Sequence, residues 1–234
     1  MISRNSGLIR DSLKKRWPAT AVTVRAGLVQ LRLPTGHTSE EYVSHQGWRD
    51  ASLQRCPRHP EGGCGFRRHG TYVRKSPYGA QVARWYCHKA HQTFSLLPDC
   101  LSARWPGTLA EVEQAVMTVE QSASVQGAAD RLRPDIELPG AIRWTRRRVR
   151  AVYEVLTTLR GLFPERFESV SISLGAFAGA VGEQPVLPAL RAMAGAYIQH
   201  LPTPLGFHHR TGGGGERTEP MQQSMGPDPP PGDG

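Results

Sequence analysis

Apolar residues recur every three or four positions after Gly107, the spacing of one face of an α-helix. Thr108 and Glu111 stand at the start of this run in the pattern of a capping box, in which each side chain accepts a hydrogen bond from the other residue's backbone amide. The sequence therefore predicts a helix that starts behind Thr108 and whose inner face is formed by Leu109, Val112, Val116 and Val119.

Further helices are predicted after this one. The second is short and runs from an N-cap at Ser124 to Leu132, before Arg133-Pro134. The third is long and covers Pro139 to Leu162, with the proline near its first turn and Gly161 at its end. Two modest helices, at about 167–181 and 186–201, are predicted in the Ala-, Gly- and Leu-rich stretch that follows.

The first half of the chain favours strands. Residues 21–33 alternate in part and are rich in β-branched residues, and residues 71–74 and 81–86 form two short strands around a predicted hairpin loop, Lys75 to Gly79. We therefore expect an α+β fold: a small β-ribbon zinc module, then an all-α helix-turn-helix region. The expected division is an N-terminal segment of no assigned role (1–50), the ribbon module (51–105), the helix-turn-helix region (106–162), an Ala/Gly-rich helical segment (163–202) and a tail (203–234).

Composition and charge narrow the classes of partner. Hydrophobic residues make up 38% of the chain and there are 25 glycines and 19 prolines, so part of it is not expected to join a packed core, and the Gly- and Pro-rich tail is predicted to be disordered. The net charge of +9 favours a polyanion, nucleic acid before an anionic membrane. No apolar run approaches the roughly 20 residues of a membrane helix, and no secretory signal is recognisable, so we expect a cytoplasmic protein without a membrane partner.

The cysteines indicate a metal site. In a protein that is not exported, thiols or metal ligands are favoured over disulfides. Cys56 and Cys87 are the firm pair of a predicted structural zinc site, because each stands in a turn on either side of the hairpin. The third ligand is Cys64 or His59, and the fourth is His91 or, less favoured, His88. Cys100 is predicted to be a buried thiol outside the site. The alternative to a zinc site is that the four thiols are unrelated and the histidines are solvated.

A row of arginines on the third predicted helix indicates nucleic-acid binding. Such a charge run is usually a solvated helix face, but residues 143–150 contain no acid that could neutralise it. Guanidinium groups in a row suit phosphates or guanine edges in a major groove, and the three helices suit a helix-turn-helix unit. The predicted contacts are Arg143, Arg146, Arg147 and Arg150 on one helix face, with Thr145 and Trp144 touching base or sugar near the N-terminal end of the helix.

The order of these motifs resembles the N-terminal half of bacterial insertion-sequence transposases, in which a zinc ribbon precedes a helix-turn-helix that binds the terminal repeats of the element. The resemblance covers Cys56 to Leu162 and lies in CPRHP, RRHGTYVR and RWYCHKAHQTFSLLPDCL, followed by SVQGAADRL and AIRWTRRRVRAV. It implies that Cys56, His59 and Cys87 are ligands. Ala90 stands at the position of the family's fourth cysteine, so His91 would have to substitute.

The resemblance ends before the catalytic part of such enzymes. They continue into an RNase-H-like domain with three metal-binding carboxylates, whereas the acids after Leu162 are Glu165, Glu168, Glu183 and residues of the tail. The expected function is therefore that of a non-enzymatic, DNA-binding protein of a mobile element, either stand-alone or a remnant. Its partners are double-stranded DNA and a separate transposase or integrase subunit. The alternatives are a zinc-ribbon transcriptional regulator and a protein-interaction adaptor.

Overall fold

The computed structural model describes residues 28–207, which form an α+β fold. Four strands build one mixed sheet in the order β1-β4-β3-β2. The strands are β1 (Leu28–Leu33), β2 (Arg67–Val73), β3 (Gln81–Cys87) and β4 (Gln92–Pro98). β2, β3 and β4 pair in antiparallel fashion, while β1 joins β4 in parallel, with Val29 opposite Phe94.

Helices cover the rest of the described chain. A short α1 (Ser39–Ser44) follows β1, and α2 (Leu109–Glu120), α3 (Val125–Leu132) and α4 (Leu138–Leu162) follow the sheet. After them come α5 (Pro164–Phe167), α6 (Leu174–Val181), α7 (Val186–Met193) and a 3-10 turn at Gly195–Tyr197. Among residues 28–207, none of the helices combines the length and the apolar character needed to cross a bilayer.

Several predicted elements are confirmed. The Thr108–Glu111 capping box starts α2, Ser124 caps α3, and Pro139 lies in the first turn of α4. The predicted hairpin is formed by β2 and β3, and Arg74 and Ala80 close its loop with a backbone hydrogen bond of 2.8 Å. Of the strand predicted at 21–33, residues 28–33 are confirmed as β1, and residues 21–27 lie outside the described part.

Other predictions are wrong. The helix predicted at 167–181 is broken, because Ser173 turns its side chain to the amide of Ala176 and starts α6 there. The helix predicted at 186–201 ends at Met193, where Ala194 leaves the helical conformation. α1 was not predicted at all, although Thr38 and Glu41 form a complete capping box at its start.

One hydrophobic core crosses the boundaries that were expected between modules. It contains Tyr42 and Trp48 near the first strand, Leu96 of the sheet, Leu156 of α4 and Phe177 of α6. The sheet and the helices therefore share buried surface and stabilise each other.

Two glutamates of α2 cap other helices. Glu120 accepts hydrogen bonds from the amides of Leu174 (2.7 Å) and Gly175 (2.9 Å), the first residues of α6. Glu113 accepts a hydrogen bond of 2.8 Å from the amide of Leu187 in the first turn of α7. Because the first amides of a helix lack partners inside it and carry partial positive charge, carboxylates there stabilise both helices and fix them against α2.

The segment after α7 is packed, and the prediction of disorder from residue 203 is wrong for residues 203–207. Leu205 is fully buried and Phe207 is 5% exposed. The amide of Phe207 donates a hydrogen bond of 2.9 Å to the carbonyl of Ile198. The amide of Ala103 donates a hydrogen bond of 2.8 Å to the carbonyl of Pro204. The rest of the predicted tail, residues 208–234, lies outside the described part.

Arg191 of α7 joins this segment to the end of the sheet. Its side chain is fully buried, and burial lowers the pKa of its guanidinium group to about 10. The group therefore stays charged at neutral pH. A buried charge is costly unless it is well hydrogen-bonded. The guanidinium donates to backbone carbonyls of two segments: Pro98 (3.3 Å), Asp99 (3.1 Å), Leu101 (2.6 Å), Pro204 (2.7 Å) and Leu205 (2.9 Å).

We expect Arg191→Met to lower the free energy of unfolding by about 3 kcal/mol or more, because each buried carbonyl left without a donor costs about 1–3 kcal/mol. Urea unfolding measures this change. The control is Arg166→Met, because Arg166 is exposed. That variant should stay within about 0.5 kcal/mol of the wild type. Equal stability of the two variants would contradict the role given to Arg191.

Candidate metal centre and nucleic-acid interface

Four metal-ligating side chains converge beside the sheet. The ligand atoms of Cys56, His59, Cys64 and Cys87 all lie within 4.8 Å of one another. His59 Nδ1 lies 3.7 Å from the sulfur of Cys56 and 3.4 Å from that of Cys87. All three thiols are buried and free of disulfides. Cys64 and His59, left as alternatives by the sequence, thus both belong to the cluster.

The local turns explain the convergence. The amide of His59 donates a hydrogen bond of 3.2 Å to the carbonyl of Cys56. In a second turn, the amide of Gly62 donates a hydrogen bond of 3.0 Å to the carbonyl of His59. Gly65, at φ +66°, then redirects the chain where a side chain would crowd His88 at 3.3 Å. A bond of 3.3 Å from the amide of Lys89 to the carbonyl of Cys64 ties this loop to the β3–β4 turn. Three candidate ligands therefore come from one loop and one from the end of β3.

The cluster fits a tetrahedral metal ion. Three thiolates and one imidazole are an established ligand set for structural zinc. With zinc–sulfur bonds of about 2.3 Å and zinc–nitrogen bonds of about 2.0 Å, the nitrogen and sulfur ligands of a tetrahedron lie about 3.5 Å apart. The two distances from His59 Nδ1, 3.4 and 3.7 Å, lie on either side of that value.

The surroundings of the sulfurs favour the thiolate form at Cys87. Burial raises the pKa of the Cys56 thiol to about 11. Burial also opposes ionisation of Cys87, but hydrogen bonds from the Ala90 amide and the neighbouring thiols outweigh it, and the pKa of Cys87 is lowered. The Ala90 amide lies 3.4 Å from the Cys87 sulfur. An amide that bonds a sulfur in this way orients a metal-binding thiolate.

An apolar shell encloses the cluster on the sheet side. Val29 and Phe94 are buried against the cysteines, and Phe66 stacks on Trp85 with ring centroids 5.5 Å apart. Phe66 also meets Phe94 edge to face at 5.9 Å. Such a shell limits the access of water to the thiolates.

The structure does not bring His91 to the cluster, which corrects the prediction that it is the fourth ligand. His91 has a positive φ of 46° in the β3–β4 turn, and its Nδ1 lies 3.2 Å from the hydroxyl of Tyr86. His88 is also exposed, and its ring packs edge to face on Tyr86 at 4.9 Å. Cys100 lies in the main core, and burial raises its pKa to about 11, as expected of a buried thiol outside the site.

The arginines of α4 lie together along a groove of about 520 Å³. The four side chains predicted to share a helix face are all exposed and all line it. The other lining residues come from α4 itself and from two distant parts of the chain. The full set of lining residues is Arg143, Arg146, Arg147, Arg150, Ala151 and Glu154 of α4, together with Trp105, Pro202 and Thr203.

The distant wall of the groove could not be found from the sequence. Trp105 precedes α2, while Pro202 and Thr203 follow the last helical turn, and nothing in their local pattern relates them to α4. Thr203 was assigned to the tail that was predicted to be disordered, and Pro202 to the end of the helical segment before it. Bonds from Arg191 to the chain directly after these two residues help to place them in the groove with the arginines.

Two residues near the N-terminal end of α4 do not face the groove. Thr145 is fully buried on the inner face of the helix, which corrects its prediction as a DNA contact. Trp144 is stacked by Arg148, whose guanidinium carbon lies 3.5 Å from the ring centroid, and by Arg133 at 5.2 Å. Arg148 packs on the rings of Trp144 and Trp105. Its burial there lowers the pKa of its guanidinium group to about 10, and the charges of Arg133 and Arg147 contribute to this shift.

Comparisons with known proteins found no protein-family model, curated protein or solved structure that matches the chain.

We expect Cys64→Ser to abolish tight metal binding and His91→Ala to retain it, because only the former removes a member of the cluster. Titration with Co²⁺ measures this through the absorption of cobalt–thiolate bonds. Cys100→Ser is the matched control, since it removes a buried thiol outside the cluster. Loss of binding in His91→Ala with retention in Cys64→Ser would refute the assignment of the ligands.

Proposed function

We propose that this chain is a non-enzymatic DNA-binding protein of a mobile element, with a structural zinc ribbon and a helix-turn-helix region. The observation that carries the proposal is the row of Arg143, Arg146, Arg147 and Arg150, four exposed guanidinium groups along one groove. Like charges at this spacing repel one another, so the arrangement is stabilised when an anion lies among them. A phosphate backbone supplies such anions at regular intervals.

The helical arrangement supports a helix-turn-helix unit. α3 packs on α4, and residues 133–137 connect them. Arg133 forms a paired hydrogen bond to the carboxylate of Asp135 (3.0 and 2.9 Å), which orders this turn. The connection is longer than the three or four residues of a simple helix-turn-helix. α4 buries Ala141, Thr145 and Val152 against its neighbours and directs the arginines outward, as a recognition helix does.

Zinc is the metal we propose for the cluster. When bound, the ion supplies a cross-link among its ligands and contributes folding energy, as in other small ribbon modules. Cys56, His59 and Cys64 would hold it from the loop before β2, and Cys87 from the end of β3. The residues between these ligands contain few large aliphatic side chains, so a cross-link there adds stability that aliphatic packing within this stretch does not supply.

The link to a mobile element rests on the motif order from Cys56 to Leu162, which resembles insertion-sequence transposases. The proposed target is therefore a terminal repeat of such an element. Strand cleavage is assigned to a separate transposase or integrase subunit.

We expect Arg147→Ala to weaken binding to duplex DNA and, if Arg147 contacts a phosphate, to reduce the slope of log K against log salt by about 0.9. If Arg147 instead reads a guanine, the loss is about 1–3 kcal/mol at one base pair. Fluorescence anisotropy with labelled duplexes at several salt concentrations measures both quantities.

Arg160→Ala is the control for this experiment. Arg160 lies in the last turn of the same helix and outside the groove, so its removal changes the net charge equally. An equal loss of affinity in both variants would mean that net charge alone attracts DNA. Unchanged binding in Arg147→Ala would exclude this residue from the interface.

A further inference from the structure

The loop between β2 and β3 carries the most exposed aromatic residue of the described chain. Tyr78 is 95% exposed, and Val73 at the end of β2 is 71% exposed; among residues 28–207 these are the large hydrophobic residues left in solvent. Lys75 in the same loop is also exposed. Lysine and tyrosine side chains are both among those that hydrogen-bond the phosphate and sugar groups of nucleic acids.

Hydrogen bonds fix this loop to the chain segment before α2. The carbonyl of Ser76 accepts a bond of 3.1 Å from the amide of Gly107. The guanidinium of Arg74 donates to the carbonyls of Ser102 (3.0 Å) and Trp105. The β2 side of the loop is thereby held against residues 102–107.

The segment that holds the loop is also a wall of the arginine groove. Trp105 lines the groove beside Arg143 and Arg147, and the guanidinium carbon of Arg148 lies 5.5 Å from the centroid of its ring. The segment 102–107 therefore contacts the hairpin loop through its backbone and contributes the Trp105 side chain to the groove of α4. The hairpin loop and α4 come from parts of the chain that the sequence pattern assigned to separate modules.

We propose that the hairpin loop Lys75–Gly79 is a second contact with duplex DNA, placed beside the contact made by α4. The inference rests on the proposed function. Lys75 lies against a phosphate, and the ring of Tyr78 packs on sugar or base edges next to the stretch that the arginines bind. The positive charge of the groove identifies the occupant as a polyanion, and a duplex is broad enough to touch both the groove and the neighbouring loop.

Binding of a labelled mixed-sequence duplex to the full chain tests the proposal. Tyr78→Ala should weaken binding about fivefold, the effect of losing a side-chain contact worth about 1 kcal/mol. Tyr78→Phe should retain most of the affinity, because the ring is kept. Lys75→Ala should lower the salt slope by about 0.9, the value for one phosphate. Both side chains are exposed, so unfolding midpoints should be unchanged and serve to exclude misfolding.

Lys89→Ala is the matched control for Lys75→Ala. Lys89 is exposed in the β3–β4 turn, at the opposite end of β3 from the hairpin loop, and its loss should leave the salt slope unchanged. If Arg147→Ala weakens binding while Tyr78→Ala and Lys75→Ala bind as the wild type does, the loop contact is refuted and the proposed function stands. If the wild type does not bind duplex DNA, both are refuted.

Discussion

The buried guanidinium of Arg191 is the constraint on which the arrangement of this protein depends. It places one positive charge where the end of the sheet, α7 and the last described residues meet, and backbone carbonyls of two distant segments surround it. Because such a charge is tolerated only when its donors are satisfied, these segments must keep their relative positions. The bonds from Arg191 to Pro204 and Leu205 help to fix the chain directly after Pro202 and Thr203, which line the groove with the arginines of α4.

Local signals in the sequence predict the elements better than their assembly. The capping pattern at Thr108, the N-cap at Ser124 and the proline at the start of α4 each act within a few residues, and each of the three predicts a helix start to within a residue or so. The parallel pairing of β1 with β4 and the packing of residues 203–207 depend on contacts between distant residues. The Gly- and Pro-rich composition after residue 202 favours disorder, but in residues 203–207 the burial of Leu205 and Phe207 and the hydrogen bonds from Arg191 outweigh it.

The candidate sites show the same difference between local and distant information. The cysteines indicate a candidate metal site, but the choice among histidines depends on the turn after Cys87. That turn directs His91 to Tyr86, while the loop after Cys56 supplies both Cys64 and His59. On α4, helical spacing correctly groups the four arginines. Thr145 was assigned by its proximity in sequence to them, but a helix rotates successive residues by about 100°, which turns this one into the core.

The positions of the metal ligands along the chain have a consequence for synthesis. All four lie between Cys56 and Cys87, so the cluster can assemble once the turn after β3 has left the ribosome. The carbonyls that surround Arg191 include those of Pro204 and Leu205, which are made more than a hundred residues later. An ion bound early would hold the ribbon strands together while the growing chain still lacks the segment that closes the main core.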